Sequence, residues 1–385
     1  MKRKIAIDLT RLLTRSMKGR LPTGVDRVSL AYVRHFCDQA CAVVRLGGLG
    51  RVMSASHSRE VFSTLLSGEA IGRRQMLALL ARASLGSRPA GHLRDHFVIN
   101  TGHSGLDAAG YARRLVAQQA RPLLMVHDLI PITHPEYCRK NERFRHIARM
   151  DTVLATASGV ITNSTATLDE LARYAASRGR TLPPAIAAPL APASLPPPAA
   201  QRLLKEPYFV VLSTIEPRKN HSMLLQVWRT LAARMGERVP RLVIIGQRGW
   251  ESTQTVALLE RCESFRGVVI EHGVCGDQEL STYLHHAQAL LFPSFAEGYG
   301  LPLMESLATG VPVIASDLPA FREIAGDIPD YLDPLDGLGW MRAIENYIAP
   351  QSTSRRDQCI RLNGFKAPTW GTHFDKVEEF MCTLM

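Results

Sequence analysis

Short apolar runs alternate with longer segments of mixed polarity along the whole chain. Each run is short enough for one strand and ends at a polar or turn-forming segment, which is the pattern of strands buried in a parallel sheet. In the first half the predicted strands are Lys4–Leu9, Phe97–Asn100, Leu123–Val126 and Gly159–Thr162. In the second half they are Tyr208–Thr214, Leu242–Ile245, Val268–Glu271, Ala289–Phe292 and Val311–Ala315. Helical segments lie between them, including one from near Asp26 and one over residues 60–85, so both halves are predicted to be α/β units with parallel sheets and crossover helices.

A proline-rich stretch separates the two halves. Residues 182–200 contain seven prolines, which is typical of a segment leading into a linker. A length of 385 residues suits two domains of ordinary size. We therefore predict a Rossmann-like domain over 1–190, a linker over 191–206 and a second Rossmann-like domain over 207–368.

The most specific chemical pattern is residues 292–317, FPSFAEGYGLPLMESLATGVPVIASD. Gly298 and Gly300 permit a tight turn and a close approach of the backbone to a ligand. The proline that follows suits the first turn of a helix, whose unpaired N–H groups attract anions. Glu297 and Glu305 add two carboxylates that can accept hydrogen bonds from hydroxyl groups. The run therefore predicts a site that holds a sugar and a phosphate together.

This run resembles the Glu-X7-Glu signature of the retaining glycosyltransferases of family four. The match begins at FPS and continues beyond the run through LPAFREIAGD. The resemblance implies the GT-B fold, in which two Rossmann-like domains face each other across a cleft. It also implies that a last helix, within residues 369–385, crosses back to the first domain. The resemblance is strong through the second half, rests on short loops in the first half, and is closest to bacterial polysaccharide mannosyltransferases.

The resemblance assigns roles to four residues of the run. Glu297 matches the residue near the transferred sugar, where it holds a hydroxyl or stabilises positive charge on the anomeric carbon. Glu305 matches the carboxylate that binds the ribose of the donor. Leu301 and Pro302 match the backbone stretch that receives sugar and phosphate.

Two further loops of the second half resemble donor-binding segments of the family. TIEPRKNH resembles the phosphate-binding loop, whose lysine corresponds to Lys219. Many members also carry an arginine soon after the strand and before the Glu-Pro, a region that Ser213 and Thr214 occupy in this chain. Arg218 either supplies that second cation or points elsewhere. Gly273 and Val274 correspond to a loop that contacts the nucleotide base through backbone groups.

Short loops of the first half supply the remaining candidates. His127, in His-Asp-Leu-Ile-Pro, resembles a histidine near the donor sugar, and the alternative is a structural histidine bonded to a loop carbonyl. Gly24 resembles the glycine loop that closes on the diphosphate, and the alternative is an ordinary helix start. The polar clusters 101–104 and 163–165 are either acceptor-site residues or ordinary helix caps.

Composition narrows the partners. A formal net charge of +11 indicates an acidic partner, such as an anionic membrane or a diphosphate-linked lipid. We expect no nucleic acid, because no recognised motif is present and aromatic residues make up only 6% of the chain. Residues 73–94 have basic and apolar positions at helical spacing, which suits either an anionic membrane surface or an amphipathic helix facing the core.

Other features bear on compartment and cofactors. Asp8 and Arg11 interrupt any apolar segment near the N-terminus, so no signal peptide is expected. The seven cysteines include no Cys-X-X-Cys pair, which indicates reduced thiols and a cytoplasmic protein. Attachment to the inner face of the plasma membrane is the alternative location. No cofactor is predicted, and no metal, because the sequence has no Asp-X-Asp.

The resemblance thus implies a retaining hexosyltransferase, and the missing Asp-X-Asp adds the expectation that it works without a metal ion. Its expected partners are a nucleotide-sugar donor, best matched by GDP-mannose, and a lipid-linked or growing polysaccharide as acceptor. UDP-glucose or dTDP-rhamnose as donor remains an alternative. A non-catalytic GT-B scaffold of a membrane polysaccharide assembly is the alternative from a different class.

Overall fold

The computed structural model describes residues 4–19, 23–46, 49–67 and 93–385, with residues 74, 77, 78, 81, 88 and 89 of the segment between 67 and 93. The chain divides into two compact units. Unit 1 contains Met1–Ile132, Asn141–Leu190 and Trp370–Met385, and unit 2 contains Thr133–Lys140 and Ala191–Thr369. Most of the basic segment 73–94 therefore lies outside the described residues.

Unit 1 is built on an eight-stranded sheet with the order β4-β3-β2-β1-β5-β6-β7-β8. Its strands are β1 (Ile5–Asp8), β2 (Ala40–Leu46), β3 (Leu49–Val52), β4 (Arg88–Pro89), β5 (Phe97–Asn100), β6 (Arg121–Val126), β7 (Gly159–Thr162) and β8 (Ala185–Ala187). The described helices are α1 (Thr10–Met17), α2 (Gly24–Phe36), α3 (Ala55–Leu66), α4 (Ala109–Ala117), α5 (Ile130–Thr133), α6 (Glu142–Thr156), α7 (Thr165–Ser177) and, at the C-terminus, α15 (Trp370–Thr383).

The parallel arrangement predicted for this sheet holds for six neighbouring strands, in the order β2, β1, β5, β6, β7 and β8. It does not hold at the edge formed by β3 and β4. β1 pairs in parallel with β2 and β5, and the parallel pairing continues to β8. β2 and β3 are antiparallel, as are β3 and β4. Only a short connection separates β2 from β3, and a short connection can join antiparallel strands but not parallel ones.

The middle strands of unit 1 are buried on both faces, as their continuous apolar sequences require. All positions of β1, β5 and β7 are buried. A core forms where their side chains meet those of the helices, and it includes Val98, Leu124, Met150 and Leu171. The carboxyl ends of these strands carry the polar residues of the first half.

The C-terminal helix α15 packs within unit 1. Val377, Phe380 and Met381 are buried along it. The Phe374 ring stacks on His35 with ring centroids 3.9 Å apart, and the Tyr32 hydroxyl donates a hydrogen bond to Nε2 of His373 at 2.9 Å. An apolar stripe at helical spacing therefore fixes this last helix to the first half of the chain.

Unit 2 has a six-stranded, wholly parallel sheet with the order β11-β10-β9-β12-β13-β14. Its strands are β9 (Tyr208–Leu212), β10 (Arg241–Ile245), β11 (Val269–His272), β12 (Leu290–Phe292), β13 (Val313–Ser316) and β14 (Asp330–Leu332). Its α-helices are α8 (His221–Met235), α9 (Thr253–Arg261), α10 (Asp277–His286), α11 (Leu301–Ala308), α12 (Pro319–Ala325), α13 (Gly337–Ile348) and α14 (Thr353–Leu362).

Two tryptophans fill the core of unit 2 and satisfy their own polar atoms. Trp228 and Trp340 are fully buried. The indole N–H of Trp228 donates to the Pro240 carbonyl at 2.8 Å, and that of Trp340 donates to the Asp333 carbonyl at 3.0 Å. Large aromatic rings can be buried this way because their N–H groups keep a partner.

Among the residues that the structure describes, no helix is both long enough and apolar enough to cross a lipid bilayer.

Candidate functional site

The strand order of unit 2 reverses between β9 and β12, which lie side by side although two strands separate them in sequence. In open parallel sheets, ligands bind beyond the carboxyl ends of the strands at such a reversal. The loop after β9 carries Arg218 and Lys219, and the loop after β12 carries Glu297. The topology therefore brings three of the four charged candidates of the second half to one place.

These side chains form one ion-pair cluster. The Lys219 ammonium donates to the Glu297 carboxylate. The Arg218 guanidinium lies 2.7 Å from the other Glu297 oxygen through Nη1, and Nη2 donates to Glu216 at 2.9 Å. Nη1 also donates to the Ala296 carbonyl at 2.6 Å. Two cations thus hold one carboxylate, and Arg218 is engaged on both sides.

The cluster is largely shielded from solvent, with side-chain exposures of 9% for Glu297, 11% for Lys219 and 18% for Arg218. Burial by itself raises the pKa of Glu297, but the charges of Arg218 and Lys219 and the hydrogen bond from Lys219 more than offset this and lower it to about 2. Burial, together with the charge of Arg218, lowers the pKa of Lys219. Glu297 is therefore a carboxylate at any physiological pH.

A glycine turn leads from the cluster into α11. Gly300 has φ +120°, and a Cβ there would lie 2.7 Å from the Phe321 ring, so this position requires glycine. Leu301 and Pro302 form the first turn of α11. Glu305, one turn further on, is buried with 3% exposure. Gly298 connects Glu297 of the charged cluster to this turn. The candidates from Gly298 to Glu305 therefore follow the cluster directly along the chain.

The loops after β9 and β10 are joined backbone to backbone. Gly246 has φ +155°, and a Cβ there would lie 2.0 Å from the Ser213 carbonyl oxygen. Ile215 N–H donates to the Gln247 carbonyl, and Gly249 N–H donates to the Ile215 carbonyl, both at 2.9 Å. This close packing places the indole N–H of Trp250 3.2 Å from Glu216.

The two candidates for base recognition lie in the loop after β11, toward the edge of the sheet. A Cβ on Gly273 would meet no atom within 4 Å, and Val274 is 71% exposed. This loop thus presents its backbone at Gly273 and the apolar side chain of Val274 to the surface.

In unit 1, His127 follows β6 and is buried with 7% exposure. Its Nε2 lies 2.7 Å from the Thr101 carbonyl. A carbonyl only accepts, so Nε2 carries the proton and Nδ1 is an acceptor in the neutral ring. Burial lowers the pKa of His127, although the Thr101 carbonyl and Asp128 oppose this. The His127 carbonyl accepts from Asn163 at 2.9 Å.

Two more histidines surround His127. Nε2 of His103 lies 2.7 Å from the Met125 carbonyl, and Nε2 of His146 lies 3.1 Å from the Asp128 carbonyl. The ring centroids of His103 and His127 are 5.5 Å apart. Burial lowers the pKa of both. In the described part of the chain, no group of three or more His, Cys, Asp or Glu side chains is arranged to hold a metal ion.

Gly24 is the first residue of α2, directly after the N-cap Thr23. A capping box closes this helix start, because Thr23 N–H donates to the Asp26 carboxylate at 2.8 Å. Arg11 donates to the same carboxylate at 2.9 Å, and Arg15 lies 2.7 Å from it. The 163–165 cluster also contains a cap, since the Ser164 hydroxyl accepts from Thr167 N–H at 3.1 Å.

Sequence reasoning did not identify several residues around the site. Glu216 and Trp250 complete the charged cluster, and within unit 2 the Tyr137 ring stacks on Phe295 with centroids 4.8 Å apart and planes 4° apart. Phe295 N–H donates to the Arg218 carbonyl at 2.9 Å. The only sequence signal for this arrangement is Glu216 within TIEPRKNH, since the other partners come from distant loops.

Residues 198–328, which contain the cluster and the Glu297 to Glu305 turn, match the family model described as "Glycosyl transferases group 1". This stretch is thus similar to glycosyl transferase group 1 domains. It spans most of unit 2, and all of the second-half candidates lie inside it.

Similar curated proteins include mannosyltransferases of O-antigen chains. The chain is 33% identical over 224 residues to O-antigen chain mannosyltransferase B of Escherichia coli, covering 56% of this chain and 58% of that protein. It is 32% identical over 151 residues to O-antigen chain mannosyltransferase RfbU of Salmonella typhimurium, covering 38% of this chain and 40% of that protein. The chain thus spans about half the length of the curated relatives that it matches.

Solved structures show the same fold over the whole chain. HepE of Anabaena, solved with UDP and glucose, has a TM-score of 0.68 at 13% identity, covering 99% of this chain and 100% of that one. Sucrose-phosphate synthase of Thermosynechococcus elongatus has a TM-score of 0.64 at 16% identity, covering 99% of both chains. The predicted α/β, GT-B fold class is confirmed by these structural neighbours.

Proposed function

We propose that the chain is a retaining hexosyltransferase that moves mannose from GDP-mannose to a hydroxyl of a lipid-linked or growing polysaccharide. The observation that carries the proposal is the buried cluster of Lys219, Arg218 and Glu297 beside the Gly300 turn, at the strand reversal of a group 1 domain. The names of the O-antigen mannosyltransferases among its relatives support the sugar and the class of acceptor.

In this proposal, the leaving diphosphate is stabilised without a metal ion. Negative charge on the diphosphate grows as the glycosidic bond breaks. The Lys219 ammonium and the N–H groups at the start of α11, near Leu301 and Pro302, offer fixed positive charge for it. Glu305 accepts hydrogen bonds from the ribose, and the loop at Gly273 and Val274 receives the base.

Glu297 faces the transferred sugar in this scheme. Its two cationic partners withdraw charge from the carboxylate, which makes it a weak nucleophile but leaves it able to stabilise positive charge on the anomeric carbon. This favours front-face attack, with the donor phosphate accepting the acceptor's proton, over a covalent intermediate. From the family resemblance we also propose that Nδ1 of His127 accepts a hydrogen bond from a hydroxyl of the donor sugar, and that the loop at Gly24 contacts the diphosphate.

Binding of nucleoside diphosphates tests the donor. GDP, UDP, dTDP and ADP are each added to the purified protein, and the melting temperature is recorded. A ligand that binds the native state raises it. We expect the largest increase with GDP. A larger increase with UDP or dTDP would replace GDP-mannose by UDP-glucose or dTDP-rhamnose.

Turnover tests the reaction. We expect GDP release from GDP-mannose in the presence of a lipid-linked saccharide acceptor and excess EDTA, with an α-linked product visible by NMR. Inversion of the anomeric centre would contradict retention, and activity restored only by Mn²⁺ or Mg²⁺ would contradict metal independence. No diphosphate release from any donor would favour the non-catalytic scaffold.

A further inference from the structure

A chain of hydrogen bonds extends the charged cluster away from Glu297. Trp250 Nε1 donates to one Glu216 oxygen at 3.2 Å, and Arg218 Nη2 donates to the other at 2.9 Å. The opposite nitrogen of Arg218, Nη1, lies 2.7 Å from Glu297. The order Trp250, Glu216, Arg218, Glu297 therefore connects three loops that follow β10, β9 and β12.

Close packing of the loop after β10 against the loop after β9 fixes the position of Trp250. A Cβ on Gly249 would lie 2.8 Å from the Ile215 carbonyl oxygen, so any larger residue would push this loop away from the loop after β9. Ile215 and Arg248 also form an isolated parallel bridge. With the two loops fixed against each other, the indole N–H has a defined position relative to Glu216.

The hydrogen bond to Glu216 also orients the rest of the planar Arg218 guanidinium. A guanidinium donates along a rigid fork, so fixing Nη2 on Glu216 determines where Nη1 points. Nη1 points at Glu297 and at the Ala296 carbonyl. Within the cluster, the carboxylates of Glu216 and Glu297 balance the charges of Arg218 and Lys219.

We infer that Glu216 and Trp250 are positioning residues, which hold the Arg218 guanidinium on the Glu297 carboxylate and away from the diphosphate. This inference rests on the proposed function of the Glu297 site. Arg218 is then not a replacement for the arginine that family members carry near Ser213. Its charge orients Glu297, and Lys219 is left as the cation of this loop that serves the diphosphate.

The test uses Glu216→Gln in the full chain with two separate measurements. Removing the Glu216 charge leaves the cluster with one excess positive charge and loosens Arg218. We expect GDP to bind more tightly, by about threefold to tenfold. Single-turnover transfer should slow by about tenfold, because Glu297 loses its fixed orientation. A merely structural role would instead weaken both properties together.

Trp250→Phe is the second variant, because it keeps an aromatic ring in the loop and removes only the N–H. It should slow single-turnover transfer by a few fold, with GDP affinity within twofold of wild type. Combined with Glu216→Gln, it should add nothing further, since both substitutions break the same tether. Glu251→Gln removes the same charge from an exposed neighbour and should leave the transfer rate unchanged.

Several outcomes would overturn the inference. One is weaker GDP binding in Glu216→Gln, which would mean that Arg218 contacts the diphosphate and Glu216 serves that contact. Another is wild-type transfer by Glu216→Gln, or additive effects in the double variant. If wild-type protein turns over no donor, the proposed reaction fails, while the GDP affinities still decide whether Glu216 restrains Arg218.

Discussion

Glu297 and a bound diphosphate attract the same two cations, because Lys219 and Arg218 both lie on the Glu297 carboxylate. The carboxylate therefore has two opposite effects in the proposed reaction. It stabilises positive charge on the sugar during transfer, and it weakens the hold of the site on the product diphosphate. A residue that is only a sugar contact would have the first effect alone.

This double role predicts that Glu297→Gln lowers turnover by about a hundredfold while it strengthens binding of free GDP. Gln keeps the shape but removes the charge that competes for Lys219. Isothermal titration with GDP and a transfer assay give the two numbers. Glu305→Gln is the matched control, since loss of a ribose contact should weaken GDP binding. Equal weakening by both variants would contradict the division of roles.

The tautomer of His127 leads to a second prediction at this scale. Gln in place of His127 can keep the N–H bond to the Thr101 carbonyl, but it does not place an acceptor where Nδ1 lies. His127→Gln should therefore remain folded and transfer mannose about tenfold more slowly. Because burial lowers the pKa of His127, wild-type activity should show no acid limb centred near pH 6.5 from this residue. Full activity of the variant would assign His127 to structure alone.

At the scale of elements, α11 depends on a backbone conformation that few residues adopt. Gly300 combines φ +120° with contact against Phe321. Gly310, just beyond the same helix, has φ +78°, but a Cβ there would meet no atom within 4 Å. The two glycines thus separate the cost of the backbone angle from the cost of a steric clash.

Gly300→Ala should destabilise the protein by about 2–4 kcal/mol, from backbone strain and overpacking against Phe321. Gly310→Ala should cost only about 1 kcal/mol, because its added methyl group has room. Urea denaturation followed by tryptophan fluorescence measures both free energies of unfolding. Equal losses would mean that Phe321 moves aside without cost. The proposed function adds that Gly300→Ala also loses GDP affinity, whereas Gly310→Ala keeps it.

The elements that the sequence predicts best are those whose signal is local. The strands Phe97–Asn100 and Gly159–Thr162 have the predicted bounds, because each is a continuous apolar run between polar turns. The strand Ala40–Leu46 was not predicted, and its partner Leu49–Val52 completes an antiparallel edge that alternation of strands and helices does not indicate. Residues 60–85 were predicted helical, and the described helix is Ala55–Leu66, with most of the rest outside the described residues.

In the candidate site too, the residues that are contiguous in sequence could be predicted, and the contacts between distant loops could not. The run around Glu297 and Glu305 was recognisable because its turn, helix start and carboxylates are contiguous in sequence. The contact of Trp250 with Glu216 was not, because it depends on how the loops after β9 and β10 pack. The two roles considered for Arg218 could not be separated from sequence, since they differ only in which carboxylates surround its guanidinium.

At the scale of the whole molecule, the net charge of +11 leads us to propose that the protein also binds an anionic membrane surface. The protein should sediment with vesicles that contain anionic phospholipid and should dissociate from them as the salt concentration rises. The reason is that the Debye length, over which exposed charges interact, falls to about 10 Å at 0.1 M salt. Vesicles of phosphatidylcholine alone are the control. Equal binding to both kinds of vesicle at every salt concentration would contradict an electrostatic attachment.

Buried neutral histidines make the whole fold sensitive to acid. Burial lowers the pKa of five described histidines: His103, His127, His146, His221, to about 3, and His373, to about 4. In the unfolded chain each would titrate near 6.5. Below pH 6.5 the unfolded state therefore binds protons that the folded state does not. Stability is complete above this pH and is lost as the pH falls from 6.5 toward the folded pKa values.

For His221 and His373, whose folded pKa values lie near 3 and 4, the free energy of unfolding should fall by about 1.4 kcal/mol per pH unit per histidine between pH 6 and 5. Four of these five histidines lie in unit 1 and only His221 lies in unit 2, so unit 1 should become sensitive to protease first as the pH is lowered from 7 to 5.

His373→Gln removes one of the four histidines of unit 1 and can keep a hydrogen bond to Tyr32. Its unfolding free energy should depend less steeply on pH than that of wild type, by about one proton between pH 6 and 5. Identical slopes would mean that His373 is already charged in the folded protein, and first cleavage in unit 2 would assign the acid sensitivity to groups other than these histidines.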